Sequence, residues 1–237
     1  MKKACKILIT VLLLITIPAA AFLIYLSVYY HAEDKALDAL RSDGTVSVSR
    51  TDFGWFFDGP SEDTAMVFYP GAKVEETSYA PLLKELASRG VDVFLVKMPF
   101  RMAFFDIDAA EEIFDMYDYQ RWYLGGHSLG GAMAAYQASE DPEDLTGIVL
   151  LASFPTREVP GDLEEILIVG SEDQVVDWDK IEAGREFAPD DYHEYIIEGG
   201  NHALFGCYGQ QRGDGTATVT DEVQISETVD FIISSIG

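Results

Sequence analysis

The sequence predicts a single α/β domain with a mostly parallel sheet covered on both faces by helices, preceded by one apolar N-terminal helix. Three observations carry this reading. From residue 65 onward, strand-like and helix-like patterns alternate along the chain. The runs at 65–69, 91–96 and 148–151 are continuously apolar, as strands buried on both faces must be. Residues 7–30 contain no charged side chain at all.

Taken in order, Lys2, Lys3 and Lys6 precede the uncharged stretch 7–30. As a helix rising 1.5 Å per residue, it is long enough to cross a hydrocarbon core of roughly 30 Å with some tilt. The lysines favour the cytoplasmic side, and Tyr25, Tyr29 and Tyr30 suit the outer interface. A cleaved signal peptide, with small residues at 19–21 as its processing site, is the competing reading. The apolar run continues nine residues past Ala21, which favours the retained anchor. Either way the rest of the chain faces outward. Residues 1–6 are then a cytoplasmic terminus, 7–30 the anchor, 31–44 a polar, partly helical linker ending at Gly44, and 45–237 the domain.

Within the domain, 45–50 alternates and reads as an edge strand, and 52–60 as a turn-rich aromatic hairpin region. Strands follow at 65–70, 91–99, 121–126, 145–153, 164–171 and 192–198. Helices fall at 79–90 (stopped by Gly90), 108–117, 129–140, near 178–187 and near 221–235. No internal repeat or linker divides them.

The chain carries 41 acidic against 16 basic residues, a formal charge of −25. No acid lies in residues 1–30, so the whole excess falls on the outward part. Such a surface repels phosphates and excludes nucleic acid as a partner; it reads as a solvated surface, with a calcium-dependent one as the alternative. Cys5 and Cys207 lie too far apart in topology for a disulfide, and neither has metal-ligand spacing.

Chemistry enters at Gly126-His127-Ser128-Leu129-Gly130, a G-x-S-x-G pattern between a predicted strand and a predicted helix. The sharp turn that such a pattern makes exposes its serine, and glycines two residues either side avoid a clash. A serine hydroxyl needs a base. Of four histidines, His31 lies in the linker, His193 starts a strand, and His127 sits inside the turn with its side chain directed away from the serine. His202, on the glycine-rich loop after the last strand, is the candidate base, since loops at the carboxyl ends of parallel strands assemble such sites. The loop after the preceding strand offers Glu172, Asp173 and Asp177. Asp173 is preferred because the chain has there just left the sheet; it would fix the histidine's tautomer. The order Ser128, Asp173, His202 is the Ser…Asp…His order of one class of serine hydrolases. The backbone N–H groups of Leu129 and of Ala72, after the turn at Pro70-Gly71, are the candidate oxyanion hole.

The stretches 69–100, 121–135, 148–153, 170–176 and 199–209 together resemble the bacterial, membrane-anchored or secreted alpha/beta hydrolase fold-5 family, related to dienelactone hydrolases. The resemblance spans roughly 45–235. It implies an α/β-hydrolase fold, a Ser128, Asp173 and His202 triad and an oxyanion hole at Ala72 and Leu129, with no cofactor and no metal. Arg101 stands where the family pattern leads one to expect a neutral residue.

Only about ten residues, 154–163, separate two strands where many such enzymes insert a lid, so no substantial cap domain is expected. Phe100 and Met102, with Phe104 and Phe105 beyond, are candidates for an acyl pocket, and Arg101 for a substrate carboxylate. Gly213-Asp214-Gly215 resembles part of a calcium loop, but the ligand spacing is missing. The expected substrate is a small-molecule carboxylic ester. A thioesterase, peptidase or acyltransferase would use the same residues, and an idle, membrane-tethered binding module is the alternative from another class.

Overall fold

The computed structural model describes residues 2–60 and 63–236. The chain runs α1 (Lys2–Ser27), α2 (Asp34–Ala39), β1 (Ser47–Arg50), β2 (Gly54–Asp58), β3 (Thr64–Tyr69), α3 (Ala80–Ser88), β4 (Asp92–Val96), α4 (Ala109–Met116), β5 (Arg121–His127), α5 (Leu129–Glu140), β6 (Gly147–Leu151), β7 (Glu164–Gly170), α6 (Trp178–Gly184), β8 (Asp191–Ile197) and α7 (Asp221–Ser235). The strands form one sheet in the order β1-β2-β4-β3-β5-β6-β7-β8. From β4 to β8 all neighbours are parallel, whereas β2 runs antiparallel to both β1 and β4.

Alternation along buried strands builds two cores. In β3, Met66 and Phe68 join α3, α7 and Ala36 on one face. Ala65, Val67 and Tyr69 join α4, α5 and α6 on the other. The period of two explains why the central strands are apolar throughout: each residue packs against one helical layer or the other. Twelve residues connect β6 to β7 without a helix, so among the described residues no cap domain is inserted at that crossover.

Two expectations are amended. The aromatic stretch 52–60 contains a true strand, β2, which is inserted between β1 and β4. Its Gly54 has φ +149, and a Cβ there would lie 2.1 Å from Leu95 O, so the close backbone approach requires glycine. The segment 31–44, expected as a linker, is docked: Ala36 of α2 is fully buried in the core beneath α3.

Glu165 is buried in β7 with its Oε2 unpartnered, and that burial, reinforced by Glu194, pushes its carboxyl up to about 8. The folded chain therefore holds a proton that the unfolded chain releases near its ordinary value of 4.5. Stability from this group is complete below that value and is lost as pH rises through about 8, at up to about 1.4 kcal/mol per pH unit. Glu165→Gln should flatten the fall in Tm between the ordinary value of 4.5 and about 8 and raise Tm at the alkaline end. Thermal melts across that range check this; identical pH slopes for both proteins would contradict it.

Candidate active site

Three glycines decide how β5 turns into α5. A Cβ on Gly126 would lie 2.6 Å from the backbone of Gly130 and Gly131, and one on Gly130 would lie 2.1 Å from Tyr69 O. Gly131 is similarly pressed against Gly126 O and Ser153. Between them Ser128 takes φ 54 and ψ −122, a strained conformation for a residue with a side chain. The surroundings hold it there: Ser128 N–H donates to Leu151 O at 2.9 Å, and Ser153 Oγ donates to Ser128 O at 2.8 Å. The amino end of α5 points at this turn and favours negative charge developing beside it.

His202 and Asp173 arrive from the ends of β8 and β7. His202 Nδ1–H donates to Asp173 Oδ2 at 2.8 Å, with both side chains at 2% exposure or less. Asp173 Oδ1 accepts from Val175 N–H and Val176 N–H, each at 2.8 Å. The carboxylate is thus committed on both oxygens, and the imidazole keeps Nε2 as its free lone pair. Of the alternatives, Asp177 immediately precedes α6 and lines the cleft, while Glu172 uses its backbone N–H to reach Gly200 O at 2.8 Å. A cleft of about 250 Å³ brings together Ser128, Leu129, His202, Phe154, Val175 and Val176. Ser128 Oγ makes no hydrogen bond to His202 in this structure, as is common before substrate tightens such contacts.

The loop after β3 lies against the turn. Gly71 N–H donates to Tyr79 Oη at 3.0 Å, and Lys73 N–H donates to Arg101 O at 2.9 Å, which leaves Ala72 N–H between them without a protein acceptor among the described residues. His127 ties this loop to the turn. Tyr79 Oη, which accepts from Gly71, is 2.8 Å from His127 Nδ1 and donates its proton there. Burial, and secondarily His202, whose ring centroid is 4.4 Å away, hold His127 well below its ordinary pKa of 6.5, so it is neutral.

Asp214, in the Gly213–Gly215 stretch that resembles part of a calcium loop, buttresses the site instead. Its Oδ2 accepts from Ala203 N–H at 2.9 Å, and its Oδ1 accepts from His202 N–H at 3.3 Å and Gly215 N–H at 2.8 Å. It fixes the backbone on which His202 stands. The available signal was an aspartate between glycines twelve residues after the candidate base. Misplacing a reacting group by about 1 Å costs on the order of a hundredfold. Asp214→Ala should therefore lower kcat ten- to a hundredfold with little change in KM, a split that steady-state kinetics reads directly.

Phe100, Arg101 and Met102 do not line the 250 Å³ cleft. The Arg101 guanidinium instead lies 3.4 Å over the Tyr29 ring, and Phe100 faces outward. A larger groove of about 1150 Å³, lined by Arg50, Asp106, Glu111 and Tyr117 among others, contains none of the candidate catalytic residues. Among the described residues no group of His, Cys, Asp and Glu side chains is placed to hold a metal ion.

A sequence profile described as the alpha/beta hydrolase family matches residues 65–226. The chain belongs to the alpha/beta hydrolase family. No curated protein sequence matches this hydrolase. Among solved structures, Est1E from Butyrivibrio proteoclasticus is similar at 12% identity and a TM-score of 0.57, covering 81% of this chain and 99% of its own. A predicted CIB-like hydrolase from Thermoplasma acidophilum is similar at 18% identity and a TM-score of 0.56, covering 80% and 99% respectively. Thermogutta terrifontis esterase 2, in a form phosphoramylated by tabun, is similar at 15% identity and a TM-score of 0.53, covering 83% and 97%. At these identities the likeness of this hydrolase to them concerns the fold alone.

Proposed function

We propose that this hydrolase is an extracytoplasmic serine esterase that cleaves carboxylic esters through an acyl-enzyme, tethered to the membrane by α1. The observation that carries the reading is the buried 2.8 Å bond between His202 Nδ1 and Asp173 Oδ2, opening onto the cleft shared with the strained Ser128. His202 Nε2 takes the proton from Ser128 Oγ as it attacks the acyl carbon. The tetrahedral oxygen gathers charge and is received by the N–H groups of Leu129 and Ala72, a contribution of about 2.7–4 kcal/mol per donor. Asp173 stabilises the imidazolium, which gives the proton to the departing alkoxide. Water, activated by His202 in the same way, then attacks the acyl-enzyme and releases the acid. Similar folds that are named esterases support the reaction class, and the tabun-modified esterase supports a phosphonylating probe.

Labelling with a fluorophosphonate reporter tests the reading. The native protein should be labelled, and Ser128→Ala and His202→Ala should not. Equal labelling of Ser128→Ala, or none of the native protein, would remove Ser128 from the mechanism. A chain-length panel of acyl esters then ranks substrates.

A further inference from the structure

The loop after β4 presents three exposed aromatic rings on one ledge. Phe100, Phe104 and Phe105 are 54%, 43% and 42% exposed, with ring centroids 4.1 Å apart for Phe104 and Phe105 and 5.5 Å for Phe100 and Phe105. Contiguous exposed aromatics mark an interaction surface more often than solvent-facing decoration. None of the three belongs to the cleft that holds Ser128.

What covers the ledge is indicated by α1, which leaves the domain at the same corner. The Arg101 guanidinium, next to Phe100 in the chain, stacks 3.4 Å over Tyr29, and the Lys73 ammonium stands 3.8 Å over Tyr25. Leu26 is buried against the domain. Just beyond the helix, Tyr30 N–H donates to Lys73 O at 2.8 Å and Glu75 N–H donates to Tyr30 O at 2.9 Å, a short parallel pairing of the two segments. Farther on, Glu33 N–H donates to Cys207 O at 2.9 Å. The helix is therefore strapped to the loops after β3 and β4 rather than joined by a slack tether. Its stretch Cys5–Ser27 contains an 18-residue window with a mean hydropathy of 2.8, none of which the domain covers. An apolar medium that receives this helix must begin beside the ledge. The chemistry at that level also fits a bilayer interface, where tyrosine rings settle and long cationic side chains reach towards phosphates.

We infer that Phe100, Phe104 and Phe105 are seated in the interfacial layer of the lipid bilayer that holds α1, which turns the mouth of the Ser128 cleft towards the membrane surface. The inference rests on α1 being a retained span, and it does not depend on the esterase reading. The partner is a lipid surface. The turn Ala103–Phe105 lies beside α5, so the docked ledge and the candidate nucleophile share one edge of the sheet.

The test uses the full chain reconstituted in phosphatidylcholine vesicles, with and without lipid brominated high on the acyl chain. The native tryptophans, Trp55, Trp122 and Trp178, all lie in the domain and supply the background. A Phe104→Trp variant, with Phe105→Trp as a second position should the first fail to fold, is expected to lose the added emission in brominated vesicles while the native background changes little. Vesicle flotation in the same samples reports whether α1 is inserted. Protein that floats but whose added tryptophan is unquenched has a ledge in water, which overturns the inference. Protein that does not float overturns it as well. Fluorophosphonate labelling of the reconstituted protein reads Ser128 independently, so a failed esterase reading and a failed docking are told apart.

Discussion

Ser128→Ala is expected to lower kcat on an acyl ester ten-thousand- to a million-fold, and His202→Ala to fall in the same range. The double variant should be hardly worse than either single one, because nucleophile and base act as one unit and removing either disables both. The residual rate should come from the Ala72 and Leu129 amides, which neither substitution touches. The fold should survive Ser128→Ala. Ser128 is held by its backbone, through Leu151 O and Ser153 Oγ, and alanine meets the same φ 54 without losing a side-chain hydrogen bond. Steady-state rates alongside a thermal melt provide the check. Additive losses in the double variant, or more than a tenth of the native rate in Ser128→Ala, would mean that the two side chains do not act together.

Gly130→Ala should damage both the fold and the candidate site. The new Cβ would sit 2.1 Å from Tyr69 O and 2.5 Å from Pro70 O, both backbone atoms at the end of β3. Backbone cannot rotate out of the way as a side chain can. Either α5 shifts away from β3, carrying Leu129 N–H away from Ala72 N–H, or the loop at 70–72 gives way and breaks the Gly71 to Tyr79 bond. Overpacking of this kind costs about 1–3 kcal/mol or more, and the displaced amide adds a catalytic loss of about a hundredfold or greater. The contrast is Gly161→Ala, where nothing lies within 4 Å of the added methyl. Melting temperatures and kcat for the two variants decide it. A Gly130→Ala protein with native Tm and native kcat would show that the close approach to β3 is not required.

The parts legible in the sequence are those encoded by local patterns. Continuous apolar runs marked β3, β4 and β6 because strands covered on both faces leave no polar side. Gly126 and Gly130 marked the turn because only glycine permits that approach. His202 and Asp173 stand out by their places just past β8 and β7, and the structure brings them into hydrogen bond. Arg101, by contrast, suggests a substrate contact by its place among aromatic residues. Its partner proved to be Tyr29, more than seventy positions away in the chain. The strand β2 was hidden because an aromatic run interrupted by Gly54 has the composition of a turn, and only pairing with Val93 and Phe94 makes it extended.

The sequence by itself determined the layered α/β class, the strained turn that presents Ser128, and the apolar character of residues 7–30, because each follows from backbone sterics or side-chain periodicity within a few residues. Tertiary structure alone decided that Asp214 buttresses the His202 loop, that His127 reaches the 70–72 loop through Tyr79, and that the segment after α1 is strapped beside Phe100. Each of these joins groups from loops distant in sequence. Their contacts exist only once the sheet has set the strand ends side by side, and no local pattern of residues announces them.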